Sequence, residues 1–385
     1  MTVRLHALAT VLPPTTISQS HAADLFARQP SMSRLGSRLV RSVFAGAQVR
    51  TRRTVLHELG DAAPGAPRDD AASPDAAAPS LGEGFLDPAT GELAEPSTAA
   101  RNEIFAREAS GLFTAAARAA LGRAAHLAPQ DVTHVVTVSC TGFFAPGPDV
   151  RIVKDLGLAS DVARIHLGFM GCNAAFGALR TAAAFCTADP RAVVLVVCAE
   201  LCTLHLHVRN DPDTIMGNAL FGDGAAGVVL SARPGPAGEP LLELLDQETL
   251  LAPDGERELA WSIGDHGFEM ILGAEVPRLI DVHVDSALRP LLDRAGRGVS
   301  DIEHWAIHPG GRQILDRVEA RLGLTGRQMA ASRDVLAEVG NISSVTILAV
   351  IERLLDQGLS GTLCAIAFGP GLSVESALLH RPEEA

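Results

Sequence analysis

The chain has 385 residues, enough to bury a large core, and this length favours two domains or one large duplicated unit. Hydrophobic residues make up 47% of the chain, and most of them are alanine, leucine and valine rather than aromatic residues. No apolar run reaches the roughly 20 residues that a membrane span needs. The net charge of −13 argues against nucleic acid or an anionic membrane surface as the main partner.

The first residues, 1–14, lack the long apolar region of a signal peptide and predict a first strand. The six cysteines form no CxxC pair and no spacing typical of a small disulfide-rich domain. We therefore expect a cytoplasmic protein without a metal site. Lys154 is the only lysine, so phosphate recognition would fall to arginine, whose planar fork suits bidentate contacts.

Residues 60–84 are dominated by alanine, proline, aspartate and glycine. Such a stretch buries too little apolar surface to offset its ordering entropy, so it predicts a mobile surface insertion. A helical pattern follows over residues 99–125.

Buried strands then alternate with helices along the rest of the chain. Strands are predicted at 134–140, 193–198, 227–230, 305–307 and 363–368, and helices at 173–185, 312–322 and 344–355. This alternation predicts parallel α/β sheets. The similar order of units in the two halves indicates an internal duplication, with a seam at the Pro/Gly-rich residues 233–240.

Cys172 lies between a glycine-containing turn and the start of a helix, in Gly168-Phe-Met-Gly-Cys-Asn. The positive end of a helix dipole lowers the pKa of a thiol, so this position favours a nucleophile. The small neighbours Gly171 and Ala174 leave room for an acyl group. The alternative is a buried structural cysteine, the role that we expect for Cys186, Cys198 and Cys364.

Two later residues have positions suited to partner this thiol. His308 ends a short strand and precedes Pro-Gly-Gly, where it could pair with Cys172 as thiolate and imidazolium or bind a thioester oxygen. Asn341 follows Gly340 and precedes a helix, where its amide could donate to the same oxygen. The alternatives are a satisfied core histidine and a simple helix cap.

Two glycine-rich turns complete the pattern. Phe221 stands beside Gly222 in a turn that enters a strand, where its ring could shield a carbanion from water or be a plain core aromatic. The turn Gly369, Pro370 and Gly371 is rigid and could wall off a cavity.

Six segments in order are similar to the type III polyketide synthases, the chalcone-synthase-like branch of the thiolase fold. They are Ser139-Cys-Thr-Gly-Phe, Gly171-Cys172, Leu220-Phe-Gly-Asp-Gly, His308-Pro-Gly-Gly, Gly340-Asn341 and Phe368-Gly-Pro-Gly-Leu-Ser-Val-Glu375. The resemblance implies an α/β fold of five layers, αβαβα, built from two duplicated halves at 1–235 and 236–385. It also implies a homodimer that uses acyl-CoA and malonyl-CoA as substrates and needs no further cofactor.

The resemblance assigns roles residue by residue. Cys172 would carry the acyl group, His308 and Asn341 would drive malonyl decarboxylation, and Phe221 and Phe268 would be gatekeepers. Cys140, Cys202 and His205 would line the cavity where plant enzymes usually have threonines, and Ala145 stands where many have methionine. Arg50, Arg52 and Arg53 are candidate contacts of the coenzyme A phosphates.

The segment around Glu200 is similar to bacterial members that make alkylresorcinols and alkylpyrones from fatty acyl starters. We therefore expect iterative condensation on a fatty acyl starter, followed by cyclisation to a resorcinol or pyrone. Three alternatives stay open: an initiating ketoacyl synthase that makes one condensation on an acyl carrier protein, a papain-like cysteine protease with the same residue order, and a non-catalytic acyl-CoA binding protein.

Overall fold

The computed structural model describes residues 2–61, 84–235 and 242–382. Most of the predicted insertion and part of the predicted seam lie outside these residues. The described strands are β1 (Val3–Val11), β2 (Thr15–Ser18), β3 (Thr51–Thr54), β4 (His134–Ser139), β5 (Ala163–Gly168), β6 (Val193–Leu201), β7 (Asp223–Ser231), β8 (Leu242–Leu251), β9 (Leu259–Gly264), β10 (Gly267–Leu272), β11 (His304–Ile307), β12 (Gly361–Gly369) and β13 (Ser373–Arg381).

The described helices are α1 (Gln19–Ala27), α2 (Arg34–Gly46), α3 (Thr98–Arg123), α4 (Pro148–Leu156), α5 (Ala174–Ala188), α6 (Pro212–Leu220), α7 (Val276–Arg294), α8 (Arg312–Leu322), α9 (Gly326–Val339) and α10 (Ser344–Asp356). Every strand and helix predicted above has its counterpart among these elements. None of the described helices is long and apolar enough to cross a membrane.

Nine strands form one sheet in the order β11-β12-β13-β8-β1-β7-β6-β4-β5. The prediction of parallel sheets is only partly right, because β4 is parallel to β5 and β6, and β11 to β12, while the other neighbours are antiparallel. A strand buried on both faces, such as β6 or β7, has a continuous apolar sequence in either arrangement. The sequence pattern therefore could not distinguish the two directions.

The core has two regions that share this sheet. One contains α5 and α10, which contact strands of both halves, and the other contains the outer helices α3, α7 and α8. The helices α5 and α10 are mostly buried because their sequences are rich in alanine, valine, isoleucine and leucine. The layers thus run from α3 through a sheet half, α5 with α10 and the second sheet half to α7 with α8, which is the five-layered thiolase-like fold.

Candidate active site

Cys172 lies in the short connection between β5 and α5, directly before Asn173, the N-cap residue of α5. Gly171 has a φ of +87°, and a Cβ atom at this position would overlap the ring of Pro370. Only glycine allows this loop to pack against the turn that follows β12. The side chain of Asn173 then ties the loop to Ser373, whose Oγ accepts its hydrogen bond over 2.8 Å.

The thiol of Cys172 is half-buried and lies close to the side chains of Ser343 and Asn341. Burial raises the pKa of Cys172 to about 11, with a further increase from the carboxylate of Glu200, although the nearby Ser343 and Asn341 side chains lower it. The low pKa expected from the helix start is therefore not found. Desolvation of the thiolate outweighs the donors at the start of α5.

His308 follows β11 and is buried, with an exposed fraction of only 1%. Its backbone N–H donates to Ile366 of β12 over 2.8 Å, which fixes its place at the end of the parallel strand pair. Neither ring nitrogen has a hydrogen-bond partner among the described residues, and burial lowers the pKa of the ring to about 3. The ring nitrogens are thus available to a substrate oxygen, and the pairing of His308 with Cys172 as thiolate and imidazolium stays a prediction.

Asn341 is held by the segment that contains Phe221. Its backbone N–H donates to Leu220 over 2.8 Å, and its carbonyl accepts from Gly222 over 3.0 Å. A Cβ at Gly340, whose φ is +72°, would lie 2.5 Å from the Leu220 carbonyl, so this approach requires glycine. The side-chain oxygen of Asn341 accepts the backbone N–H of Ser343 over 2.8 Å.

The two ends of the Asn341 amide therefore have different tasks. The oxygen accepts the N–H of Ser343, the N-cap residue of α10, and so stabilises the turn before that helix. This role is close to the capping alternative, although a true cap would accept an N–H from the first turn of the helix. The NH₂ group is left to face the thiol and any oxygen bound beside it.

A cavity of about 50 Å³ adjoins the thiol. Its lining is largely apolar and consists of Cys140, Thr141, Gly171, Cys172, Cys202, Phe221, Leu259, Ala260, Trp261, Met270, Ser343 and Pro370. The structure thus brings Cys140, Cys202, Phe221 and Pro370 to Cys172. Of the other turn residues, Gly369 packs against Asn173 and Gly371 has a φ of +74°.

A second cavity of about 260 Å³ shares Cys202, Phe221, Trp261 and Met270 with the first. It lies between α6 and the β9–β10 hairpin, and its lining includes polar and charged side chains such as Asp213 and Glu269. The two cavities are therefore adjacent, with an apolar one at the thiol and a more polar one beside it.

His205 and Phe268 form part of the wall of this second cavity. Their rings stack with centroids 4.2 Å apart and planes at 10°. His205 Nε2 donates to the Thr141 carbonyl over 2.8 Å and Nδ1 accepts from the Phe268 N–H over 3.0 Å, while burial lowers the pKa of His205 to about 3. With both nitrogens engaged, this neutral ring acts as a wall rather than as a proton donor.

Glu200 is a buried carboxylate beside the thiols, and the sequence analysis does not identify it as a site residue. It accepts hydrogen bonds from the Cys140 N–H and the Thr141 hydroxyl, each over 2.9 Å, and from the Ser344 hydroxyl over 2.5 Å. Burial raises its pKa. The signal was present, because Glu200 is the only charged residue in the otherwise apolar strand β6. Ser343 and Trp261 had no comparable signal.

The three arginines suggested for coenzyme A lie in different surroundings. Arg52 is buried, its guanidinium donates to the carbonyls of Asn218 and Phe221, and burial lowers its pKa to about 10. Arg53 donates to the Pro14 carbonyl over 3.1 Å, and Arg50 is largely exposed. The Arg52 guanidinium is thus engaged by backbone carbonyls around Phe221. Contacts of Arg50 and Arg53 with the coenzyme A phosphates stay predictions.

Ala145 lies in an exposed loop between β4 and α4 and lines neither cavity. In the described ranges, no cluster of three or more histidine, cysteine, aspartate or glutamate side chains is arranged to hold a metal ion.

Comparison with known families gives two matches that together span most of the chain. Residues 83–234 match the N-terminal domain of the chalcone and stilbene synthases, and residues 243–382 match their C-terminal domain. The alpha-pyrone synthesis polyketide synthase-like Pks18 of Mycobacterium tuberculosis is 34% identical over 296 residues, which cover 74% of each chain. Bisdemethoxycurcumin synthase of Oryza sativa subsp. japonica is 35% identical over 302 residues, again 74% of each chain.

Solved structures are similar over almost the whole chain. PKS-I of the brown alga Ectocarpus siliculosus has a TM-score of 0.86 at 27% identity and covers 99% of this chain and 98% of its own. The 1,3,6,8-tetrahydroxynaphthalene synthase of Streptomyces coelicolor A3(2), a bacterial type III polyketide synthase, has a TM-score of 0.81 at 27% identity over 98% of this chain and 99% of its own.

Proposed function

The chain belongs to the chalcone and stilbene synthase family and is a type III polyketide synthase, an acyltransferase, and we propose that it extends an acyl-CoA starter with malonyl-CoA. The starter is held as a thioester on Cys172, and CoA thioesters are the substrates, without a further cofactor. Membership of this family removes the papain-like and the non-catalytic alternatives.

This proposal rests on the cavity and the side chains that surround the Cys172 thiol. The thiol opens on an apolar cavity and lies close to the side chains of Ser343 and Asn341, and the amide oxygen of Asn341 is already engaged by the Ser343 N–H. His308 offers ring nitrogens without protein partners. A buried polar group without a partner is costly, so its persistence favours a partner supplied by the substrate.

The chemistry follows from these groups. Cys172 attacks the starter thioester, so that the acyl group moves to sulfur and coenzyme A leaves with the thiol proton. Malonyl-CoA then loses CO₂, and the electron pair of the broken C–C bond forms an enolate whose oxygen is stabilised by Asn341 and His308. The enolate carbon attacks the Cys172 thioester, the thiolate leaves, and the lengthened acyl-CoA returns its chain to Cys172 for the next round.

We further propose a fatty acyl starter and a resorcinol or pyrone product. The apolar lining beside the thiol, which includes Leu259, Ala260 and Met270, supports an aliphatic chain. The similarity to Pks18, an alpha-pyrone synthesis polyketide synthase-like protein, supports a pyrone product. A chain too long for the cavity of about 50 Å³ would have to continue into the neighbouring cavity of about 260 Å³.

We propose that the protein is a cytoplasmic homodimer. Among the described strands, β5 ends the nine-stranded sheet with one edge unpaired, and Phe143 and Met170 nearby are 39% and 58% exposed. An open edge flanked by exposed apolar side chains suits pairing with a second copy. All six cysteines are free thiols, which suits a reducing compartment.

Mass spectrometry of products from malonyl-CoA, alone and with short, branched, long fatty and aromatic acyl-CoA starters, tests the proposal. We expect resorcinols or pyrones longer than the starter by several two-carbon units, and their loss in the Cys172→Ala variant. A single two-carbon extension, or products only with a carrier protein, would instead identify an initiating ketoacyl synthase. Polyketides formed by Cys172→Ala would remove Cys172 as the acyl carrier.

A further inference from the structure

We propose that a cavity remote from the thiol binds a small carboxylate with an aliphatic body, and that Arg381 holds the carboxylate. This Arg381 cavity has a volume of about 280 Å³ and shares no lining residue with the two cavities at the candidate active site. Its lining consists of Leu5, His6, Ala7, Leu8, Arg123, Leu242, Leu355, Asp356 and Arg381. Binding there would be independent of the reaction proposed above.

The Arg381 cavity lies where β1 loses one of its neighbours in the sheet. β7 pairs with β1 as far as Val11, but in the described ranges β8 pairs with it only over Val3–Leu5. A side chain rather than a strand then bonds the next part of β1, because Arg123 donates to the Leu8 carbonyl. Space therefore remains beside β1 in a sheet whose strands are otherwise closely paired.

Arg381 ends β13 and brings an unpaired cation to this space. It follows His380, which pairs with Glu243 of β8. The residue is half-buried, and its Nη1 atom is fully buried without a hydrogen-bond partner. No described residue makes a hydrogen bond or an ion pair with the guanidinium. A buried charge without a partner is costly, so this guanidinium favours an anion supplied from outside the chain.

The acidic side chains near the Arg381 cavity do not neutralise the guanidinium. Glu352 pairs with Arg123, and Glu243 pairs with Arg4 over 3.2 Å. Asp356 lines the cavity, but it is exposed at the end of α10 and forms no ion pair with the guanidinium. The positive charge in the cavity is therefore available to a ligand.

The apolar part of the lining selects the kind of anion. It consists of Leu5, Ala7, Leu8, Leu242 and Leu355. Leu5 and Leu242 are register partners on β1 and β8, so their side chains lie next to each other on one face of the sheet. An aliphatic body would remove these surfaces from water, which an inorganic anion cannot do. The planar guanidinium suits a carboxylate because it can donate two parallel hydrogen bonds to it.

The test is calorimetric titration of the full chain with sodium hexanoate at pH 7. Hexan-1-ol and inorganic phosphate are the matched probes, since one lacks the charge and the other lacks the aliphatic body. We expect hexanoate to bind and to raise the melting temperature, and each matched probe to bind more weakly by about tenfold or more.

Two variants remove different parts of the site. Arg381→Met removes the charge and should weaken hexanoate binding by about tenfold or more. Leu355→Trp keeps the guanidinium but fills the cavity, and it should weaken binding as well. Arg4→Met is the control, because it removes a positive charge from β1 without changing a residue of the lining, and it should bind hexanoate as the wild type does. Cooperative thermal unfolding shows that each variant is folded.

Three results would overturn the proposal. Equal affinity of hexanoate for the wild type and for folded Arg381→Met would place the ligand elsewhere, for example in the apolar cavity at the thiol. An equal loss of binding in Arg4→Met would assign the effect to the general positive potential of this end of the sheet. Phosphate that binds as tightly as hexanoate would show that the leucines do not select an aliphatic ligand.

Discussion

Gly171 and Pro370 are in direct contact, so the loop that carries the nucleophile and the turn after β12 support each other. A Cβ at Gly171 would overlap the proline ring, and the φ of +87° at this position disfavours any other residue. The apolar cavity at the thiol is therefore bounded by a contact that has no space for a methyl group.

Gly171→Ala should accordingly displace Cys172, lower condensation strongly and destabilise the protein by about 1–3 kcal/mol. Gly177→Ala in α5 is the matched control, because a Cβ there meets no atom within 4 Å and alanine is a better helix former. Product formation and thermal unfolding of both variants give the comparison. Equal activity in the two variants would show that the contact with Pro370 is not needed to place the thiol.

The positions of the reactive residues could be predicted from the sequence because each depends on local structure. Cys172, His308 and Asn341 follow or precede regular elements whose periodicity is visible in a single chain, and the glycines beside them mark close backbone contacts. The surroundings of these residues could not be predicted in the same way. Whether burial or the helix start controls the pKa of a thiol depends on side chains brought from distant segments.

Arg52 and Glu200 illustrate the same limit. The family resemblance suggests the same role for Arg52 as for Arg50 and Arg53, yet the Arg52 guanidinium bonds a carbonyl 166 residues away. Glu200 gains its importance from Ser344 on another element, 144 residues along the chain. Contacts over such separations leave no periodic pattern in the sequence.

Glu200→Gln should make the Cys172 thiol more reactive. The carboxylate raises the pKa of Cys172, so its neutral isostere should lower that pKa and move the alkylation profile to lower pH, by up to about one unit. Alkylation by iodoacetamide is followed across pH on the Cys172 peptide by mass spectrometry, and a profile that moves to higher pH would show that hydrogen bonding by Glu200 matters more than its charge.

Thr346→Val should weaken decarboxylation. The Thr346 hydroxyl accepts the Ile342 N–H over 2.8 Å and lies 3.2 Å from the Asn341 side-chain oxygen, so it helps to orient the Asn341 amide. We expect malonyl-CoA decarboxylation to fall by roughly three- to tenfold in kcat with little change in KM, since one neutral hydrogen bond contributes about 1 kcal/mol. Thr346→Ser should restore the rate, and a failure to do so would assign the loss to packing of the methyl group.

The three arginines should separate by their effects on stability and on substrate binding. Arg52→Met should lower the free energy of unfolding by about 2 kcal/mol or more, because it leaves buried carbonyls around Phe221 without a donor. Arg50→Ala and Arg53→Ala should leave the melting temperature nearly unchanged and raise KM for malonyl-CoA, more at low salt than at high salt. An unchanged KM in both would remove them as phosphate contacts.

His205→Ala should widen the range of starters and products. The stacked rings of His205 and Phe268 form a wall of the polar cavity, and removing the imidazole enlarges that cavity. We expect longer products in the mass spectrum and a lower kcat/KM for the preferred starter. His205→Phe keeps a ring of similar shape but cannot bond Thr141 or Phe268, so it separates the two contributions. A product range that widens in His205→Phe as well would show that the hydrogen bonds, rather than the volume of the ring, hold the wall in place.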